Sequence, residues 1–140
     1  MDFNAAQMRA DALIQEGKYK FRVKDAREKR SSSGNDMINL KLVLFINGRE
    51  VPLWDSLILL PSMFWKIEHF CEATGLSEQL ANGRLMVQDC LEVEGIVDII
   101  QKVDVQTGEL ANKVKDYLPP EQEAKNDDFI PFDEDVPNFA

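Results

Sequence analysis

Apolar positions change period several times along the chain, and each change marks an element. Residues 4–15 favour a helix, with Asn4 suited to cap its first turn and Gly17 to stop it. From Lys18 the period becomes two. Tyr19, Phe21 and Val23 alternate with Lys18, Lys20, Arg22 and Lys24, which predicts a strand with one apolar and one wholly basic face. The run from Arg27 to Asp36, containing Ser31-Ser32-Ser33-Gly34-Asn35, reads as a basic hairpin loop. Met37 to Ile46 is a second strand. Ile38, Leu40, Leu42, Leu44 and Ile46 form its core face; Met37, Asn39, Lys41, Val43 and Phe45 lie opposite. Asn47-Gly48 is a tight-turn signal, and Glu50 to Leu59 returns as a third strand. There Val51, Leu53, Asp55 and Leu57 share one face, and Pro52, Trp54, Ser56 and Ile58 the other.

Pro61-Ser62 then opens a helix in which Met63, Phe64, Ile67, Phe70, Cys71 and Thr74 recur at three- and four-residue steps, ending at Gly75. Residues 76–86 leave room for a short helical turn. Glu94-Gly95 reads as a turn, followed by a fourth strand with Ile96, Val97, Ile99, Ile100, Val103 and Val105. Thr107-Gly108 is another turn, and Lys113 to Leu118 a fifth strand anchored by Val114 and Tyr117. Five strands with one helix between the third and fourth predict a mainly β fold: a five-stranded OB-fold barrel, of the kind that binds oligonucleotides or oligosaccharides.

Composition narrows the chemistry. With 140 residues, 44% of them hydrophobic, the chain can bury a core without disulfides or metals. No apolar run approaches the ~20 residues of a membrane helix, and Met1-Asp2-Phe3 does not read as a signal peptide, so no membrane partner is expected. Cys71, Cys90 and the single histidine, His69, are too few for a disulfide framework or a four-ligand zinc site. The cysteines read as buried and reduced, and His69 as a surface residue. No Gly-rich phosphate loop, metal-ligand spacing or Ser/His/Asp set is present, so neither an enzyme nor a cofactor is expected.

Charge divides the chain in two. The formal net charge is −9, but residues 119–140 set seven carboxylates against Lys125 alone, a net of −6, which leaves −3 for residues 1–118. Within the latter, residues 17–49 hold nine cations and three carboxylates, a net of +6. The domain boundary is therefore placed at 118/119, with a folded body before it and an acidic tail after it. Four prolines and clustered acids predict that the tail does not fold by itself. It carries apolar anchors nonetheless: Phe129-Ile130-Pro131-Phe132 behind Asp127 and Asp128, and Val136-Pro137-Asn138-Phe139. Such a combination suits a partner's pocket rimmed by Lys or Arg.

The basic strand is the most informative chemistry. Its cations project from one face about 6.6 Å apart, given ~3.3 Å per residue. Arg27, Lys29 and Arg30 continue the charge, and Lys41 adds to it from the next strand, where Phe45 shares its face. Trp54 lies among polar neighbours on the third strand, whereas Tyr19 and Phe21 belong to the core. Cations interleaved with exposed rings serve single-stranded nucleic acid, the cations taking phosphates and the rings stacking on bases. The expected contact set is Lys18, Lys20, Arg22, Lys24, Arg27, Lys29, Arg30, Lys41, Phe45 and Trp54. Lysines on an outward strand face also serve solubility and edge protection. A competing reading is therefore an acidic protein-binding adaptor or DNA mimic on an inert scaffold.

Gly17-Lys18-Tyr19 with Ser33-Gly34, Trp65-Lys66 with Phe70 and Ala73-Thr74-Gly75-Leu76, and Asn112-Lys113-Val114 with Tyr117-Leu118-Pro119 together resemble the small single-stranded-DNA-binding proteins of phages. The resemblance spans most of residues 3–119. Asp127-Asp128-Phe129-Ile130-Pro131-Phe132 is similar to the ending of bacterial single-stranded-DNA-binding proteins, whose tails recruit replication, recombination and repair enzymes. Here eight residues follow that motif: either Val136-Pro137-Asn138-Phe139 is a second, near-terminal copy of it, or the tail serves phage-specific partners. The resemblance implies sequence-independent binding of single-stranded DNA, assembly as a dimer or larger homo-oligomer, and work in the cytoplasm of a bacterial host cell.

Overall fold

The alternation that begins at Lys18 outlasts the segment it predicts. In the computed structural model, which describes residues 1–120 and Ala124, strand β1 runs from Gly17 to Arg30. It takes in the first four residues of what reads as a loop, Arg27 to Arg30, and leaves residues 31–35 to turn the chain. Strand β2 (Asp36–Ile46) follows, then β3 (Arg49–Ile58). A single 3-10 turn (Pro61–Met63) leads into helix α1 (Phe64–Thr74), followed by the short helices α2 (Ser77–Ala81) and α3 (Val87–Cys90). Strands β4 (Glu94–Val103) and β5 (Leu110–Leu118) complete the body, and a seven-residue leading helix, Ala5–Asp11, precedes it.

All pairings are antiparallel, in the order β3-β2-β1-β4-β5. β1 is central because it changes partner along its length. Gly17 to Arg22 pair with β4, and Arg22 to Arg30 pair with β2. At the changeover the register with β2 shifts between Val23 and Asp25, so Lys24 is bulged out of the ladder. A bulge inserts one residue and reverses which parity faces inward. Tyr19, Phe21 and Val23 are buried before it, Ala26 after it. The strands thus form one five-stranded sheet that does not close into a barrel, since β3 and β5 share no ladder.

Side chains span that gap. Asp55 of β3 lies on the core face, as its alternation with Leu53 and Leu57 requires. It accepts from the Tyr117 hydroxyl of β5 at 2.6 Å and from Lys66 Nζ of α1 at 2.7 Å. The Asp55 and Lys66 side chains are each only 12% exposed. The Tyr117 ring makes T-shaped contacts with the Phe21 and Phe70 rings, at centroid distances of 5.6 and 5.1 Å. α1 buries Ile67, Phe70, Cys71 and Ala73 and stops at Gly75, whose φ of 82° is the left-handed helix stop that glycine favours.

Four local expectations are corrected. Glu94-Gly95 is not a turn but part of β4. A Cβ on Gly95 would lie 3.1 Å from the Phe21 ring and 3.2 Å from the Ala73 carbonyl, so glycine serves close packing there. Val105 lies beyond β4 and is exposed, because the strand ends at Val103. Val43, on the outer face of β2, is buried nonetheless. The leading helix has the expected Asn4 cap, with Oδ1 accepting from the Gln7 amide at 3.0 Å, but ends at Asp11 and buries none of its residues. What ties this segment down is Ile14, whose amide and carbonyl are both held by the Asn112 side chain.

Asp55→Ala should lower the unfolding free energy in urea by about 1–3 kcal/mol, the cost of leaving the largely shielded Lys66 Nζ and Tyr117 hydroxyl without their acceptor. Burial pushes the Cys71 thiol up to about 11; burial first, then Cys71 and Asp89, pushes Cys90 up to about 12. Both thiols should therefore resist Ellman's reagent at mildly alkaline pH until the protein is denatured. The unfolded chain loses these protons first, near the ordinary thiol value of 9.0. Stability should thus be intact below that value and fall as pH rises toward the folded values, as alkaline urea titrations would register.

Candidate nucleic-acid interface

Register decides which side chains share the outer face of β1, β2 and β3, because directly opposed residues point the same way. Lys41 stands opposite both Asp25 and Trp54. Its Nζ lies 5.6 Å from the Trp54 ring centroid, and the ring is 64% exposed. One row further on, Arg27, Asn39 and Ser56 are aligned, with Ser56 Oγ donating to Asn39 Oδ1 at 2.7 Å. Lys29, Met37 and Ile58 form the next row. Toward the other end, Arg22, Val43 and Pro52 align, and Phe45 stands half-buried opposite Glu50. The parity reversal at Lys24 is what brings Arg27 and Lys29 onto this face.

The cations of β1 are not equivalent. Arg22 does not stand clear of the surface as the alternation implies. Its side chain is 12% exposed, Nε donates to Glu94 Oε2 at 2.8 Å, and a terminal nitrogen contacts the same oxygen. Lys24 lies 3.6 Å from Glu92, and Lys18 is registered opposite Asp98. Lys20 is half-buried opposite Ile96, beside Pro120. Carboxylates on and just before β4 therefore compensate the first half of the basic strand. Beyond the bulge, Arg27 Nε is 3.0 Å from Asp25, and Arg30 pairs with Asp36 at 3.8 Å while donating to the Gly34 carbonyl. Lys29 is exposed and forms no ion pair among the described residues. Of the expected set, Arg27 and Lys29, both exposed, and the half-buried Lys41 thus share one face with the exposed Trp54 ring.

A polar cluster lies away from this face. His69 lies at the surface, its side chain 42% exposed, but it is engaged there: its Nδ1 lies 2.7 Å from Asp116 Oδ1, and the Trp65 ring makes a T-shaped contact with it. The adjoining bridge of Lys66, Asp55 and Tyr117 had one visible signal, a carboxylate alternating with Leu53 and Leu57. Burial, and secondarily Asp55, holds the Tyr117 hydroxyl well above its usual range. Among the described residues no group of three or more His, Cys, Asp or Glu side chains is placed to hold a metal ion, and no helix is long and apolar enough to cross a membrane. Asp127, Asp128, Phe129, Ile130, Pro131, Phe132 and Phe139 lie outside the described residues. No known protein family matches the sequence, and no curated protein is similar to it.

Arg22→Ala should lower stability by about 1–2 kcal/mol, through lost packing of its stem and lost charge-assisted hydrogen bonds. Lys29→Ala should leave the urea midpoint within the ~0.5 kcal/mol typical of surface changes. Equal effects at the two positions would contradict this division of the strand.

Proposed function

We propose that this chain binds single-stranded DNA without sequence preference, on the outer face of β1, β2 and β3, as a phage-type replication and recombination protein. The observation that carries the reading is the registered Lys41–Trp54 pair with Arg27 and Lys29 beside it. An exposed indole offers a stacking surface to any base, and the flanking cations meet phosphates on either side. The open five-stranded sheet with a helix between β3 and β4 supports assignment to the OB-fold, a partly open five-stranded barrel whose second and third strands commonly face the strand bound. In this reading residues 119–140 recruit partner proteins through Asp127, Asp128 and the phenylalanine anchors. The body assembles as a dimer or larger along the DNA in the host cytoplasm.

A specific observation favours the second reading, an acidic adaptor or DNA mimic: Glu92 and Glu94 neutralise Lys24 and Arg22, and Asp98 faces Lys18. Retention of labelled oligo-dT separates the two. A strand-binding protein retains it at low salt and loses it steeply, with log affinity falling by ~0.7 for each phosphate neutralised. Trp54→Ala should cost about 1–3 kcal/mol of binding, the range for one stacked base, with no change in thermal midpoint. Lys41→Ala should weaken binding and shallow the salt slope. Absence of retention at low salt by the intact chain would remove the strand-binding reading.

A further inference from the structure

At the end of the sheet where β1 turns into β2, a cavity of about 270 Å³ opens between the strands and α1. Ile38, Leu57 and Phe64 wall it, and Glu28, Asp36 and Arg84 stand among its lining residues. Glu28 reaches it because of the bulge: opposite Ile38, it falls on the inward parity at the exposed end of the sheet. Neither the Glu28 nor the Arg84 side chain has a partner among the described residues, while Asp36 has Arg30 at 3.8 Å. Apolar walls with a few convergent polar groups define a small-ligand site, and this volume falls just below the roughly 300–1,000 Å³ usual for such sites. It admits one ring system rather than a larger ligand.

The polar groups select among occupants. Two carboxylates disfavour the chain's own acidic tail, whose phenylalanines arrive with Asp127 and Asp128. A basic peptide would meet Arg84 and Arg30. A nucleotide matches both signs, since an amino-bearing base donates to carboxylates while its phosphate meets an arginine. We propose that this cavity takes one unstacked, amino-bearing base of the bound strand, guanine before the others because its N1–H and N2–H donors lie side by side for a single carboxylate. The inference rests on the strand-binding reading above and adds to it a base preference at one position. Lys29, on the outer face of β1 near the same hairpin, leads the backbone from the Lys41–Trp54 row toward it.

Fluorescence anisotropy with the full chain tests it, using oligo-dT and an oligonucleotide of equal length that alternates dT with dG. The alternating strand should bind roughly tenfold more tightly, the effect of a charge-assisted hydrogen bond or two. Glu28→Gln should remove most of that preference while leaving oligo-dT affinity unchanged, and Arg84→Ala should reduce it. Both side chains are exposed, so folding is not at stake. Equal affinity of the intact chain for the two strands, or a preference that survives Glu28→Gln, overturns the proposal and leaves the outer-face reading standing. Failure to bind either strand overturns both. Perturbation of the Phe64 and Arg84 resonances by a lysine-rich peptide, but not by guanosine monophosphate, overturns it in favour of a basic protein partner.

Discussion

The bulge at Lys24 is the constraint on which the rest of the body depends. One strand must pair with β4 through Arg22 and with β2 from Arg22 onward, so it has to bend where its partners change. An inserted residue supplies both the bend and the added twist. It also has a chemical consequence. Without the inserted residue, Arg27 and Lys29 would point into the sheet and Ala26 and Glu28 away from it. With it, cations at 18, 20 and 22 before the bulge and at 27 and 29 after it share the outer face. The same reversal turns Glu28 toward the cavity at the sheet's end.

Sharing a face does not make those cations alike. Pairing with β4 brings Glu94 to Arg22 and leaves Glu92 beside Lys24, while pairing with β2 brings Lys41 and, beyond it, Trp54. Exposed ion pairs contribute little to stability, about 0–1 kcal/mol each, but they cancel the local field that an incoming phosphate would meet. The half of the strand next to β4 is therefore a structural seam with charged edges. The half next to β2 has pairs of its own, Arg27 with Asp25 and Arg30 with Asp36, but Lys29 forms no ion pair among the described residues, and the indole adds what phosphate contacts lack, an area for stacking.

Much of this was legible in the chain. Alternation placed Tyr19, Phe21, Leu40, Leu42, Leu53 and Leu57 in the core, and Asn47-Gly48 and Gly75 marked a turn and a helix stop, with φ of 52° and 76° at the turn and 82° at the stop. Even the bulge left a trace, since cations occupy even positions up to Lys24 and odd ones at Arg27 and Lys29. A reading by fixed period has no place for an inserted residue, so the serines and glycine downstream absorbed the mismatch as a longer loop. The ion pairs were not legible, for a different reason. Glu94 lies 72 residues from Arg22, and only the β1–β4 register makes them neighbours. Asp55 showed its inward parity, but Lys66 and Tyr117, which make that position tolerable, come from a helix and a distant strand.

The largely shielded carboxylate of Asp55 explains how the two faces stay separate. β3 and β5 approach without sharing a ladder, and a closed set of backbone hydrogen bonds is replaced by Tyr117 and Lys66 converging on Asp55. An unpaired buried charge would be strongly destabilising, so all three groups must be in place together. Cohesion across the gap is thus carried from the core side, by residues that contribute nothing to the outer surface. Lys29, Lys41 and Trp54 can change without touching it, because their own contacts lie within the face they display. Arg22 is the exception, a residue of the outer face whose side chain is as little exposed as that of Asp55 and works to join β1 to β4. Its position among the basic residues of the strand reflects the seam it closes rather than the ligand its neighbours meet.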